Sequence, residues 1–321
     1  MTKNKMLLPL NIQYFAEETT FDPNNVMMQD MKTGEIPKEY GTLILQDVQA
    51  NSVVMQAAVN EPMTKQVKEF SYLANGPGAY WVGEGEKIQT SKAEWLTAKM
   101  EAKKLGVILL ATREFLQYTM SQFFTEMRPH IAKAFYKKFD EAALLNVSNP
   151  FVQSLEQSIG DTGKVITGDL NGENILAVID TVADDDFDVN GFISKTQNRG
   201  LLRGANAGTD ASPEWLYDRS TNTIDGLPVL DLKSAEMPKG TLYTGDFNQM
   251  RYGIPYNLNY ELTTTGQIST ITDGNGDPIN LFEREMIAMR ATMDVAFMVT
   301  QDEAFAKVEP GEEDPEEEPE A

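Results

Sequence analysis

The sequence predicts an α+β chain of about two domains. Three features predict it. Two alternating stretches, Gln66 to Leu73 and Trp95 to Lys103, flank a long glycine-bearing loop. An apolar stripe at helical spacing follows, from Phe124 to Ala142. Beyond Phe151, helix-like and strand-like stretches alternate, which reads as an α/β-type subdomain.

In chain order, Met1 to Ala16 joins two lysines to an apolar patch that Pro9, Asn11 and Gln13 break too early for a signal peptide. Glu17 to Lys38 is polar, contains Pro23 and Pro37, and reads as an extended arm. Leu43 to Val59 places apolar side chains at Leu45, Val48, Val53, Met55 and Ala58, which fits one helix and then a short extended piece. Val67, Phe70 and Tyr72 are the β-favouring positions of the first alternating stretch. Leu96, Ala98, Met100 and Ala102 form one face of the second, with Thr97, Lys99, Glu101 and Lys103 on the other. The loop between them, residues 74–94, is long for a compact domain and suits a protein that reaches onto a neighbouring copy of itself.

Gly106 interrupts the second stretch, and Val107 to Ala111 predicts a buried run. Thr112 is placed to cap a short helix from Arg113 to Met120, and a longer helix is expected from Ser121 to Leu145. Pro129 lies inside that helix, where proline costs ~3 kcal/mol unless the helix bends or begins there. A bend or break is therefore expected near Glu126–Pro129, and Asn146–Pro150 ends the helix. Asn174 to Asp184 predicts a helix, Asp188 to Ser194 a turn and strand, and Thr196 to Arg203 a short helix. Gly204 to Pro213 is a loop of small polar residues. Strands are expected at Leu227–Leu230, Thr241–Phe247 and Arg251–Leu262. Ile268–Ile271 and Pro278–Leu281 flank a turn and predict a hairpin, and Met286–Val299 a long strand. Asp302–Val308 reads as a short closing element.

Composition narrows the function. The net charge of −22 argues against a groove built for nucleic acid. Eight acidic residues and no basic one fall in Glu309–Ala321, leaving −14 elsewhere; that proline-containing tail is expected to be disordered. There is no cysteine, so thiolate and disulfide chemistry are unavailable. No apolar run approaches the ~18 residues of a membrane span, so no membrane partner is expected.

Searches for catalytic patterns find little. His130 is the single histidine, so no histidine-based triad or zinc site is available. Gly76, Gly78, Gly83 and Gly85 do not open a helix after a strand, as a dinucleotide fingerprint would. Asp273, Asn275 and Asp277 begin like a calcium loop, but Pro278 and Arg284 stand where glycine and glutamate are needed. Asp184, Asp185, Asp186 and Asp188 read as a charged helix end rather than a cation site. No pair of carboxylates stands out for glycoside hydrolysis. The expectation is a chain with no catalytic residues, no cofactor and no metal.

Several ordered pieces together resemble the major capsid protein of tailed bacteriophages, with the Hong Kong 97-like fold. The most specific is Ala79–Ile88, with Tyr80, Trp81, Val82, Gly83, Glu84, Gly85, Glu86 and Lys87, followed by Ser91. Next come Lys103–Val107 and Thr112–Leu116, then the helix end Phe139–Asn146. Gly191–Ser194, Leu227–Val229, Gly245–Phe247, Ala291–Val299 and Ala304–Ala306 complete the series.

The resemblance implies an N-terminal arm at 16–60, an extended hairpin loop at 66–103 and a peripheral domain with a spine helix at 104–149. It implies an axial domain at 150–262, a return to the peripheral domain at 263–308 and the acidic tail at 309–321. It implies self-association into hexamers and pentamers of an icosahedral shell, assembled in the host cytoplasm around double-stranded DNA held weakly and non-specifically. Tyr80, Trp81, Glu84 and Lys87 are the implied assembly contacts. An encapsulin-like nanocompartment shares this fold and is the alternative. Some relatives carry a fused scaffold at the N-terminus; here a separate scaffolding protein is expected, together with a portal protein. Some relatives crosslink a loop lysine; Lys87 and Lys92 lie in this loop, but no crosslink is expected.

Leu10–Ala16 is similar to the cleaved N-terminal extension of a ribosomal large-subunit protein of some Gram-positive bacteria, an extension that certain phage capsid proteins share. This implies cleavage between Phe15 and Ala16 by a host or phage protease, removing residues 1–15.

Overall fold

The computed structural model describes residues 38–75, 82, 87, 90, 94–208, 214–272 and 278–311. The expected cleavable extension 1–15, the arm before Lys38, the turn Asp273–Asp277 and the tail beyond Gly311 lie outside these residues.

The chain divides into two compact bodies, a larger one of 41–107, 128–259 and 291–321 and a smaller one of 1–40, 108–127 and 260–290. The described elements begin with helices α1 (Lys38–Asn51) and α2 (Val53–Ala57). Strands β1 (Val59–Asn60), β2 (Val67–Asn75), β3 (Glu94–Glu101) and β4 (Lys103–Thr112) follow, then the long helix α3 (Arg113–Leu145). After it come α4 (Leu155–Thr162), β5 (Val165–Thr167), α5 (Gly172–Ala183), β6 (Gly191–Lys195) and α6 (Arg199–Leu202). Strands β7 (Tyr217–Asp218), β8 (Thr223–Ile224), β9 (Leu227–Leu232), β10 (Leu242–Gly245) and β11 (Met250–Gly253) lead on. The last are β12 (Asn259–Thr263), β13 (Gln267–Thr272), β14 (Pro278–Asn280), β15 (Met286–Val299) and β16 (Phe305–Glu309).

Within the larger body, seven strands form one sheet in the order β5-β16-β10-β6-β9-β8-β7. Helix α5 explains how it is covered. Ile175, Val178 and Val182 repeat at helical spacing and pack with Phe192, Val229 and Leu242 of the sheet, all buried. Asn171 starts the helix by accepting from the Asn174 N–H at 2.8 Å. Strand β16 lies between β5 and β10, and its Ala306 and Val308 join the same core. A Cβ on Gly245 would stand 2.3 Å from the Ala304 carbonyl oxygen, so glycine is required where β10 meets the approach to β16. Phe305–Glu309 thus belongs to the sheet formed by residues 165–245. A five-residue strand paired on both edges carries no local sign of its partners.

A second sheet of the larger body contains β1 parallel to β11, and β11 antiparallel to the later part of β15, Met250 facing Val299. Strand β4 also pairs with β15. In the smaller body, β13 and β14 form the expected hairpin, with Ile268 facing Ile279. Ile279 and Leu281 are buried there, and Arg290 pairs with Glu261 across neighbouring strands.

Several local expectations need correction. The two helices expected at 113–145 are one helix of 33 residues, since β4 ends at Thr112 and no breaker lies between Arg113 and Ser121. Helix continuity also runs through Pro129 without a break. The helix expected within 43–59, ahead of a short extended piece, is split at Ser52, which caps α2 by accepting from the Met55 N–H, and the extended piece is β1. Val107–Ala111 is not a buried run; β4 alternates and leaves Ile108 48% exposed. The strand expected at Arg251–Leu262 is two strands, β11 and β12.

Candidate assembly surfaces

Strands β2 and β3 pair antiparallel, from Val67 opposite Glu101 to Leu73 opposite Trp95. The alternation read from the sequence sets this register, because a slip of one residue would expose Met100 and Ala102, both 1% exposed. Lys87, one of the expected contacts, lies exposed in the connection between the strands. Tyr80, Trp81 and Glu84 fall outside the described residues, as do Phe15 and Ala16.

The root of this hairpin is built from residues far apart in sequence. Met63, Met100, Ala102 and Ala296 form a buried cluster, with Phe70 and Met298 packed against it. A Cβ on Gly253 would stand 2.5 Å from the Met63 sulfur and 2.7 Å from the Met100 methyl, so the two methionines close directly over bare backbone. Beside them, Glu61 accepts from Lys68 Nζ at 2.5 Å and from Arg251 Nη1 at 2.8 Å. Lys68 also donates to the Pro62 carbonyl at 2.7 Å, and the Arg251 guanidinium lies 5.4 Å from the centre of the Phe70 ring. The hydrogen bond from Lys68, aided by Arg251, holds the Glu61 carboxyl below its usual pKa against the opposing effect of burial.

The long helix is tied down over its second half. Ile131, Phe135, Phe139 and Ala142 fall on one stripe and are buried. Phe139 meets Phe151 edge-on at 5.9 Å and Phe297 at 6.4 Å. Arg128 forks onto Asp47 of α1, with Nε to Oδ2 at 2.6 Å and Nη2 to Oδ1 at 2.8 Å. Asp140, 2% exposed, accepts from Ser52 Oγ at 2.6 Å and from the Val53 and Val54 N–H groups at 2.9 and 3.3 Å. Pro129 and His130 are exposed on this helix. Lys87 and Pro129 sit in separate elements, and no described hydrogen bond or ion pair joins them.

Sequence reasoning missed both the Glu61 clamp and the Asp140 contacts. Glu61 and Arg251 are 190 residues apart, so no spacing could pair them. Asp140 did carry a signal: it is a charge set directly after Phe139 of the apolar stripe. Exposed apolar side chains add contact candidates that the sequence did not single out. In the larger body Val152 is 81% exposed and lines a groove with Thr97 and Lys99 of β3. In the smaller body Phe282 is 75% exposed. Asp185, at the acidic helix end, pairs with Lys164. Among the described residues no group of histidine, cysteine or carboxylate side chains is arranged to hold a metal ion, and no helix is long and apolar enough to cross a membrane.

Comparisons with known proteins point one way. The chain is 51% identical over 310 residues to the major capsid protein of Staphylococcus phage 80alpha, covering 95% of each chain. It is 24% identical to the probable major capsid protein gp17 of Mycobacterium phage L5, covering 89% of this chain and 93% of that protein. Solved structures from Microbacterium phage Oxtober96 and Mycobacterium phage Adephagia share the fold, each with a TM-score of 0.67, at 24% and 21% identity. The first covers 81% of this chain and 91% of that chain, the second 83% and 92%. The model of the phage capsid family matches residues 34–309, and with the Staphylococcus phage relative it shows that this chain belongs to the phage capsid family.

Proposed function

We propose that this chain is the repeating subunit of a phage shell with the Hong Kong 97-like fold, its copies closing into hexamers and pentamers of an icosahedral particle around double-stranded DNA. The observation that carries this reading is the 51% identity, over 95% of both chains, to a major capsid protein. The hairpin supports it physically. Its root is fixed by an ion clamp and a methionine cluster, while Leu96 is 46% exposed. That arrangement suits a segment whose far end contacts another copy rather than its own core. Closed rings follow when one surface patch meets a different patch on the next copy, and many weak contacts then add through multivalency.

Tyr80, Trp81, Glu84 and Lys87 are the proposed contacts at the far end of the hairpin, with the aromatic pair as anchors. The domain division at 16–60, 66–103, 104–149, 150–262, 263–308 and 309–321 is part of the same proposal. Pro129 is the proposed bend of the spine helix, bent in an immature shell and straighter after expansion; an identical helix axis in the two shell states counts against it. Cleavage between Phe15 and Ala16 is proposed before or during assembly, and intact mass of mature particles should lack residues 1–15. A scaffolding protein, a portal protein and a processing protease are the proposed partners during assembly in the host cytoplasm. The net charge of −22 keeps contact with packaged DNA weak, as release of the genome requires.

Sedimentation tests the reading directly. The expressed protein should run as capsomers or shells; a small oligomer at every concentration contradicts it. Particle contents separate the nanocompartment alternative, for which no observation speaks here: packaged nucleic acid supports the phage shell, packaged enzyme the nanocompartment.

A further inference from the structure

The seven-stranded sheet brings three chain exits to one edge. Strand β6 runs parallel to β9, and β10 is antiparallel to both β6 and β16, so β6, β9 and β16 all point the same way. Val308, Leu242, Ser194 and Asp231 stand in one row across them. The chain therefore leaves β16 at Glu309 on the edge where Lys195 leads out of β6 and Leu232 out of β9. The end of β9 lies three strand spacings, about 14 Å, from the end of β16.

An open cavity of about 390 Å³ lies at that edge, walled by Thr196, Arg199, Lys233 and Ser234 beyond the strands and by Lys137 and Asp140 of α3. Its acids are already engaged. Asp140 accepts from Ser52, Val53 and Val54, and Asp231 accepts from the Arg199 guanidinium and, at 3.2 Å, from the Asn222 amide. The cations are engaged less fully. Arg199 keeps 44% of its side chain exposed beside Asp231, and Lys137 stands 3.7 Å from Glu141. Lys233 and Lys239 are exposed and have no acidic partner among the described residues. Glu236 is the one acid between them in the sequence.

Just beyond β16 the chain turns strongly acidic: Glu312 to Glu320 holds seven carboxylates, two prolines and no cation. The path toward the cavity begins at Pro310. A Cβ on Gly240, just ahead of β10, would stand 3.2 Å from Pro310, and the Gly240 N–H donates at 2.8 Å to Asn198, the neighbour of Arg199. We propose that Glu312–Glu320 folds back along this edge of its own chain and lays its carboxylates on Arg199, Lys233 and Lys239 at the cavity mouth. At about 3.3 Å per extended residue, Glu316–Glu318 lie far enough along the segment to stand over the end of β9. Tethering holds the carboxylates near the cations at an effective concentration of about millimolar, so several weak pairs act together. The docked segment then occupies cations that another polyanion could take. This inference stands on the larger body alone and does not depend on the shell reading.

Carbodiimide crosslinking of carboxylates to lysine amines tests it on the full-length protein, read by mass spectrometry on a mixture of isotope-labelled and unlabelled chains. Crosslinks from Glu312–Glu320 should fall on Lys233 and Lys239 about tenfold more often than on Lys133 and Lys138, which are exposed on α3. Raising salt from about 0.1 M to about 1 M shortens the screening length from about 10 to about 3 Å and should remove most of them. The Glu61–Lys68 crosslink, within a formed ion pair, is the internal control. An even spread over the exposed lysines, or crosslinks that join labelled to unlabelled chains, overturns the proposal. A neutral acylating reagent gives a second reading. Ending the chain at Gly311 should raise labelling of Lys233 and Lys239 about threefold and leave Lys133 and Lys138 as they were. Unchanged labelling of Lys233 and Lys239 overturns the proposal as well.

Discussion

Glu61 and Asp140 both tie distant segments of the larger body together, and they do so with opposite kinds of partner. Glu61 sits between the cations of Lys68 and Arg251 at the hairpin root and is held below its usual pKa. Asp140 sits under a helix start among neutral donors, with Glu141 beside it, and is pushed up to about 7. The difference teaches that one body can hold one attachment charged and another neutral at the same pH. The hairpin root is then strongest where the carboxylate is ionised, and the helix attachment where it is not. Two acids that look alike in sequence thereby give two attachments with opposite responses to acid.

The largest effect is expected in the aromatic core beside Asp140. Phe139 stacks edge-on with Phe151 and Phe297 beneath the helix that carries Asp140. Phe139→Ala should cost about 3–5 kcal/mol of folding stability through the cavity it leaves, read by denaturant unfolding. Next comes the clamp. Glu61→Ala leaves Lys68 and Arg251 facing each other without their shared acceptor, and should cost about 1–3 kcal/mol. Gly253→Ala should cost about 1–3 kcal/mol, since Met63 and Met100 must both move away from the new methyl.

The pH response sharpens the contrast most. For Glu61 the folded pKa is lowered, so its contribution is fully present above the unfolded value of 4.5 and is lost as pH falls through the lowered folded pKa. For Asp140 the contribution is lost as pH rises toward about 7. Melting temperature against pH, measured for Glu61→Gln and Asp140→Asn beside the wild type, should therefore give difference curves of opposite slope. Parallel curves would erase the distinction. The smallest effect is expected at Lys138, exposed on the solvent side of α3, where Lys138→Ala should change stability by less than about 0.5 kcal/mol.

The two attachments also show what the sequence could and could not carry. The hairpin was legible because period-two alternation is local: Ala98, Met100 and Ala102 announce the buried face by themselves. The α5 helix and the β13–β14 hairpin were legible for the same reason. Residues 113–145 form one helix that begins directly after Thr112, the last residue of a strand, and no local signal near Met120 divides it. The sheet position of β16 could not be read, because Ala306 and Val308 acquire partners only once β5 and β10 are in place. The Glu61–Arg251 clamp is likewise long-range. The expected contacts at Tyr80, Trp81 and Glu84 rest on resemblance to the capsid family, since an intersubunit contact leaves its partner on another chain.

The central claim is that the loop beyond the clamped hairpin root serves assembly while the body folds on its own core. Trp81→Ala tests it most directly, by counting shells in electron micrographs of the protein expressed with the proposed scaffolding protein and measuring the melting temperature of the same variant. The account predicts a sharp loss of shells with a nearly unchanged melting temperature. Normal shell yield, or a collapse of stability equal to the loss of shells, would contradict it.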